Sequence, residues 1–122
     1  MENLEIQATN ATPFVIFNSK TNILEIIGES YPEDAALFYN PIFTWLKTYL
    51  SQLTQPATLI LKLEYINTSS SKAFMILFDL LQESGKQITV NWHYNYENEM
   101  ILECGEEFKE DLTIPFNIIM DK

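Results

Sequence analysis

Cysteine and histidine are almost missing from this chain, which has one of each, Cys104 and His93. A lone thiol closes no internal disulfide, and with a single imidazole beside it the usual zinc-ligand clusters cannot be assembled. Basic residues are scarce too, seven against seventeen acids, for a formal net charge of -10. That balance repels nucleic acid and anionic membranes and keeps a small protein in solution. With only three glycines, no glycine-rich phosphate loop is present. The apolar runs fall well short of the roughly 20 residues that span a bilayer. The start, Met1-Glu2-Asn3-Leu4-Glu5, lacks the basic and apolar stretches of a secretory signal. The expectation is a cytoplasmic protein with no metal, no cofactor, no nucleic-acid partner and no membrane insertion.

What the chain does have is apolar surface. Over 122 residues, 47% are hydrophobic and 13% aromatic, enough for one core but too little chain for a second domain. Residues 1–122 therefore read as one domain. Residues 13–18 and 22–27 are β-rich runs parted by Ser19-Lys20-Thr21, the pattern of a hairpin, and Leu4 to Ala8 offers a further strand. Pro32-Glu33-Asp34 has the chemistry of a helix entry, with proline and acids at the positive end of the helix dipole. Pro41 is expected to divide that helix, after which Ile42, Trp45, Leu46, Tyr49, Leu50 and Leu53 follow helical spacing.

Beyond Pro56, Leu59, Leu61, Leu63 and Tyr65 alternate with a mixed set, which predicts a strand with one apolar face. Asn67-Thr68-Ser69-Ser70-Ser71 then supplies N-cap groups for a helix through Leu81 that closes near Gly85. Ile88, Val90 and Trp92 form the next strand, completing a right-handed parallel strand-helix-strand unit. Ile101, Cys104, Phe108 and Leu112 repeat at helical spacing, although Gly105 disfavours a helix. Thr113 to Met120 reads as an edge strand, because Pro115 cannot donate a ladder hydrogen bond. This order predicts an α/β fold, one mixed sheet with packed helices.

Five consecutive polar residues at the end of an apolar strand call for a cause. Helix capping is one, since an Asn or hydroxyl side chain satisfies an orphan N–H at a helix start. The same geometry accommodates a phosphate carried on the Thr68 hydroxyl, where backbone N–H groups and the helix dipole favour negative charge. Both roles are compatible.

Three segments carry a family resemblance: Gly28-Glu29-Ser30-Tyr31-Pro32-Glu33, Tyr65 through Ala73, and Trp92-His93-Tyr94 followed by Gly105 through Asp111. Across nearly its whole length the chain resembles SiaC-family regulatory phosphoproteins. That resemblance implies a fold similar to STAS domains, the class of the anti-sigma factor antagonists. It also implies a reversibly phosphorylated threonine in the Asn-Thr-Ser-Ser stretch, which falls on Thr68. Asn67, Ser69, Ser70, Lys72, Met75 and Phe78 are the neighbouring candidates for phosphosite support or partner binding. The implied circuit is a partner switch. A histidine-kinase-like protein kinase phosphorylates the threonine and a PP2C-type phosphatase reverses it. The unphosphorylated form binds and activates a diguanylate cyclase, whose cyclic di-GMP controls aggregation and biofilm formation. The chain departs from the family pattern at Asn95 to Glu99, which is less acidic.

Other residues point elsewhere. A small hydrolase or transferase would need Thr68 or a nearby serine together with His93, but the spacing demonstrates no triad. Glu103, Glu106, Glu107, Glu110 and Asp111 fit a solvated acidic helix face better than a metal site. Cys104 falls in the apolar phase of its helix and is expected to pack. Phe74-Met75-Ile76-Leu77-Phe78 is apolar nearly all round, which fits deep burial or a docking surface with Met75 or Phe78 exposed.

Overall fold

Period-two alternation and helical spacing divide the chain into nine elements. A computed structural model describes residues 1–122. In chain order these are β1 (Leu4–Ile6), β2 (Phe14–Asn18), β3 (Ile23–Ser30), α1 (Ala35–Gln52), β4 (Ala57–Ile66), α2 (Thr68–Glu83), β5 (Ile88–Asn95), α3 (Glu99–Glu110) and β6 (Phe116–Asp121). They build one six-stranded sheet in the order β1-β2-β3-β4-β5-β6. The β1–β2 and β2–β3 pairs are antiparallel; β3 through β6 run parallel, joined by the three helices. The mixed α/β sheet expected from the sequence is therefore the observed one. No helix is long and apolar enough to cross a membrane.

Register explains the core. Leu24, Leu59, Val90 and Phe116 lie side by side across four strands, and Ile26, Leu61 and Trp92 form the next row. All seven are buried, and Ile42, Leu46, Phe74, Leu77, Phe78 and Ile101 of the helices join them in one apolar cluster. The alternate residues on these strands, such as Ile60, Asn91 and His93, are only half-buried. The helices thus cover one sheet face and leave the other open, as the mixed composition of alternate β4 positions requires.

Several expected boundaries move, each for a physical reason. Pro41 lies inside a continuous α1 rather than dividing it. Pro41 and Leu37, whose carbonyl loses its helical donor, are both exposed, so that carbonyl can turn to water while buried Tyr39 and Ile42 hold the turns on either side. Asp34 is the N-cap of α1, accepting from the Leu37 N–H at 3.1 Å, so Pro32 and Glu33 precede the helix and its first turn holds no acid. β3 extends beyond residue 27 to Ser30 through a register shift at Gly28, whose φ of 121° favours glycine. β6 begins at Phe116, just past Pro115, and forms one edge of the sheet as expected.

Candidate functional site

β4 ends at Ile66 and α2 begins at Thr68, so a single residue, Asn67, makes the junction. Its extended backbone and short amide side chain suit an N-cap. Asn67 Oδ1 accepts from the Ser70 N–H at 2.8 Å, its carbonyl accepts from the Ser71 N–H at 2.9 Å, and its own N–H donates to the Ser30 carbonyl at 3.0 Å. Asn67 is thus committed to holding the helix start against the end of β3. Thr68 through Ser71 form the first turn of α2 rather than a loop before Lys72. The N–H groups of Thr68 and Ser69 have no acceptor within the helix, and both residues are exposed.

The four hydroxyl residues differ sharply in access. Thr68 and Ser69 face solvent and Ser71 is half-buried, but Ser70 is fully enclosed. Its Oγ lies 2.7 Å from Ser30 Oγ, which in turn lies 2.6 Å from the Tyr39 hydroxyl, all three residues at 0% exposure. Ser70 is therefore neither a modifiable group nor a partner contact. It is one end of a buried hydroxyl chain that ties α2 through β3 to α1. The sequence signal was slight: a serine ending an apolar strand, and a tyrosine three residues before Ile42 in the apolar phase of α1.

Burial drives the Tyr39 phenol up to about 12, against smaller opposing effects of the Ser30 and Ser70 hydrogen bonds. The folded protein then keeps a proton that the unfolded chain gives up near pH 10. Stability from this group is complete below pH 10 and declines as pH rises from 10 towards 12, by about 3 kcal/mol in all. Chemical denaturation of wild type and Tyr39→Phe at pH 8 and 11 tests this. The variant is expected to lose about 1 kcal/mol at pH 8 and to show a smaller further loss at pH 11 than wild type.

Around Thr68 the surface mixes exposed aromatic and apolar side chains with charged ones. Tyr31 and Tyr65 are 39% and 44% exposed, with rings edge-on at 5.9 Å. Further along α2, Met75 and Ile76 are each 51% exposed. Phe78 corrects the expectation: it is 1% exposed, stacked on Phe74 and edge-on to Trp92, Phe108 and Phe116, because it points towards the sheet. A hollow of about 360 Å³ between α1 and α2 is lined by Glu33, Asp34, Phe43, Ser69, Lys72 and Ile76, among others. Lys72 and Ser69 thus border a concave surface next to the exposed threonine.

The remaining candidates lie apart. His93 is on the open sheet face, opposite the helices, with Nδ1 at 3.0 Å from Asp121 of β6. The hollow it borders includes Lys62, Glu64 and Asp121 and no serine or threonine. Histidine and the hydroxyl run are not brought together. Cys104 is half-buried, and burial together with Glu107 and Glu103 pushes its thiol pKa up, away from the reactive thiolate. Glu103, Glu106, Glu107, Glu110 and Asp111 are exposed, and no group of three or more potential ligands is placed to hold a metal ion.

A one-sided mixed sheet whose parallel strand feeds a capped helix with a solvent-facing threonine defines a small α/β protein with an exposed hydroxyl at a helix start. Residues 6–121 match the family described as SiaC family regulatory phosphoprotein. The chain belongs to this SiaC family. An uncharacterised protein of Pseudomonas aeruginosa (strain UCBPP-PA14) is 37% identical over 121 residues, 97% of this chain and 96% of its own. The crystal structure of apo-SiaC from Pseudomonas aeruginosa superposes with a TM-score of 0.92 at 36% identity, covering 98% of this chain and 99% of that one. SiaC in the complex of the diguanylate cyclase SiaD with its activator, also from Pseudomonas aeruginosa, gives a TM-score of 0.91 at 36% identity over 97% and 99%.

Proposed function

We propose that this chain is a cytoplasmic, non-enzymatic activator whose switch is the phosphorylation of Thr68. In the unmodified form it binds and activates a diguanylate cyclase, raising cyclic di-GMP and promoting aggregation and biofilm formation. A histidine-kinase-like protein kinase adds the phosphate and a PP2C-type phosphatase removes it. The observation that carries this reading is the contrast at the start of α2: Thr68 faces solvent, whereas Ser70 is sealed. The relative bound to SiaD as its activator supports the choice of partner. Tyr31, Tyr65 and the hollow beside Lys72 would form the contact surface around the switch.

Site mapping after reaction with the cognate kinase tests the switch. Phosphate is expected on Thr68, with Ser70 unmodified and Thr68→Ala refractory. Phosphate on a serine of native protein with Thr68 unmodified would sink the assignment.

A further inference from the structure

Away from the switch, α2 and α3 leave a second recess. Phe78 and Phe108 form its floor, and Met75, Asp79, Asp111 and Leu112 are its other lining residues. Its volume is about 200 Å³, more than the roughly 150 Å³ that accommodates a benzene ring. Met75 is half exposed, and thioether side chains adapt readily to different apolar guests. The two charged residues in the lining are both aspartates; Glu107 and Glu110 of α3 are exposed but lie outside it. Lys109, the base nearest in sequence, is not part of the lining. An apolar recess rimmed by carboxylates, on a chain of net charge -10, complements an apolar group flanked by cations.

We propose that this recess is a docking site for a basic amphipathic helix of a partner protein, taking one Leu, Met or Phe as its anchor while Lys or Arg on either side meet Asp79 and Asp111. A helix suits the geometry, because one helical face places Lys or Arg three or four residues either side of a single apolar anchor, matching Asp79 and Asp111 across the recess. The inference rests on reading the chain as a partner-binding protein, and it adds a contact distinct from the switch. Met75 follows Thr68 by seven residues and Asp79 by eleven, which is about 10 and 16 Å along α2. At physiological ionic strength, where the screening length is about 8 Å, a phosphate on Thr68 acts only weakly at that range. The recess supplies affinity and the helix start supplies regulation.

Selection of displayed amphipathic peptides against the full chain tests the proposal. Enriched peptides should carry one large apolar residue flanked by Lys or Arg. Their affinity should fall about tenfold or more in Asp79→Lys/Asp111→Lys, and in Met75→Ala, while thermal unfolding stays near wild type because these side chains are exposed. Peptides with Glu in place of the bases should prefer the charge-reversed protein. Phosphorylation of Thr68 should change peptide affinity by less than about threefold. Recovery of no binders, of binders without basic flanks, or of binders indifferent to both variants would overturn the proposal. If these peptides bind as expected but a diguanylate cyclase does not, the proposed effector fails and the recess stands. If the cyclase binds in a Thr68-dependent way yet is indifferent to charge reversal, the recess fails and the switch stands.

Discussion

Gly105→Ala should lower the thermal midpoint by about 8 °C, although alanine is the better helix former. Intrinsic propensity alone predicts a gain of about 1 kcal/mol in a helix interior. Packing predicts the opposite, because a Cβ at Gly105 would stand 2.5 Å from Trp92 Nε1 and 3.0 Å from Cγ, nearer than side-chain carbons pack. Trp92 has little room to retreat. It is fully buried, its Nε1 donates to the Ile101 carbonyl at 2.9 Å, and Phe78, Phe108 and Phe116 surround its ring. Overpacking of this kind costs about 3 kcal/mol, leaving a net loss of about 2 kcal/mol, or near 4 °C per kcal/mol for a chain this size. Thermal unfolding followed by Trp fluorescence decides between the two effects. An unchanged or raised midpoint would show that α3 shifts outward at little cost.

Gly105 also marks the limit of what the sequence discloses. Its neighbours Ile101, Cys104 and Phe108 announce α3 by spacing, and the glycine among them looks like a defect. Only the position of Trp92 in the sheet turns it into a contact. The same division runs through the molecule. Alternation along Leu59 to Leu63 and spacing from Ile42 to Leu50 made β4 and α1 legible, because each reflects burial of one face; Tyr65 leaves that phase and is exposed. Pro41 was misleading, since the cost of a proline depends on whether the carbonyl it leaves unpaired, here that of Leu37, can reach water. At the site, the polar run from Asn67 to Ser71 was visible as a helix start. Which hydroxyl points outward was not, because access there is set by residues forty and thirty-one positions earlier, Ser30 and Tyr39, which enclose Ser70. Phe78 and Met75 look equivalent in an apolar run, and only the direction of each Cα–Cβ bond relative to the sheet separates them.

Phosphorylated protein should bind the diguanylate cyclase proposed as its partner about thirtyfold more weakly than unmodified protein, with no loss of fold. The phosphate adds about 1.5 to 2 negative charges near neutral pH. Within the free protein they are tolerable: the N–H groups of Thr68 and Ser69 open α2, the helix dipole is positive there, and Lys72 lies one turn away. Against a partner the balance reverses. The surroundings are Tyr31, Tyr65 and the hollow with Glu33 and Asp34, so closing an interface over the dianion strips its water while offering few cations in return. A penalty of about 2 kcal/mol corresponds to the stated factor. Thr68→Asp should reproduce part of it, since a carboxylate has less charge and fewer acceptor oxygens. Thr68→Ala should keep nearly full affinity, because the cap is the Asn67 side chain and not the threonine hydroxyl. Calorimetric titration of the four forms, with thermal unfolding in parallel, separates the outcomes. Equal affinity of phosphorylated and unmodified protein would remove the switch, and lost affinity with a collapsed melting transition would replace an interface mechanism with an unfolding one.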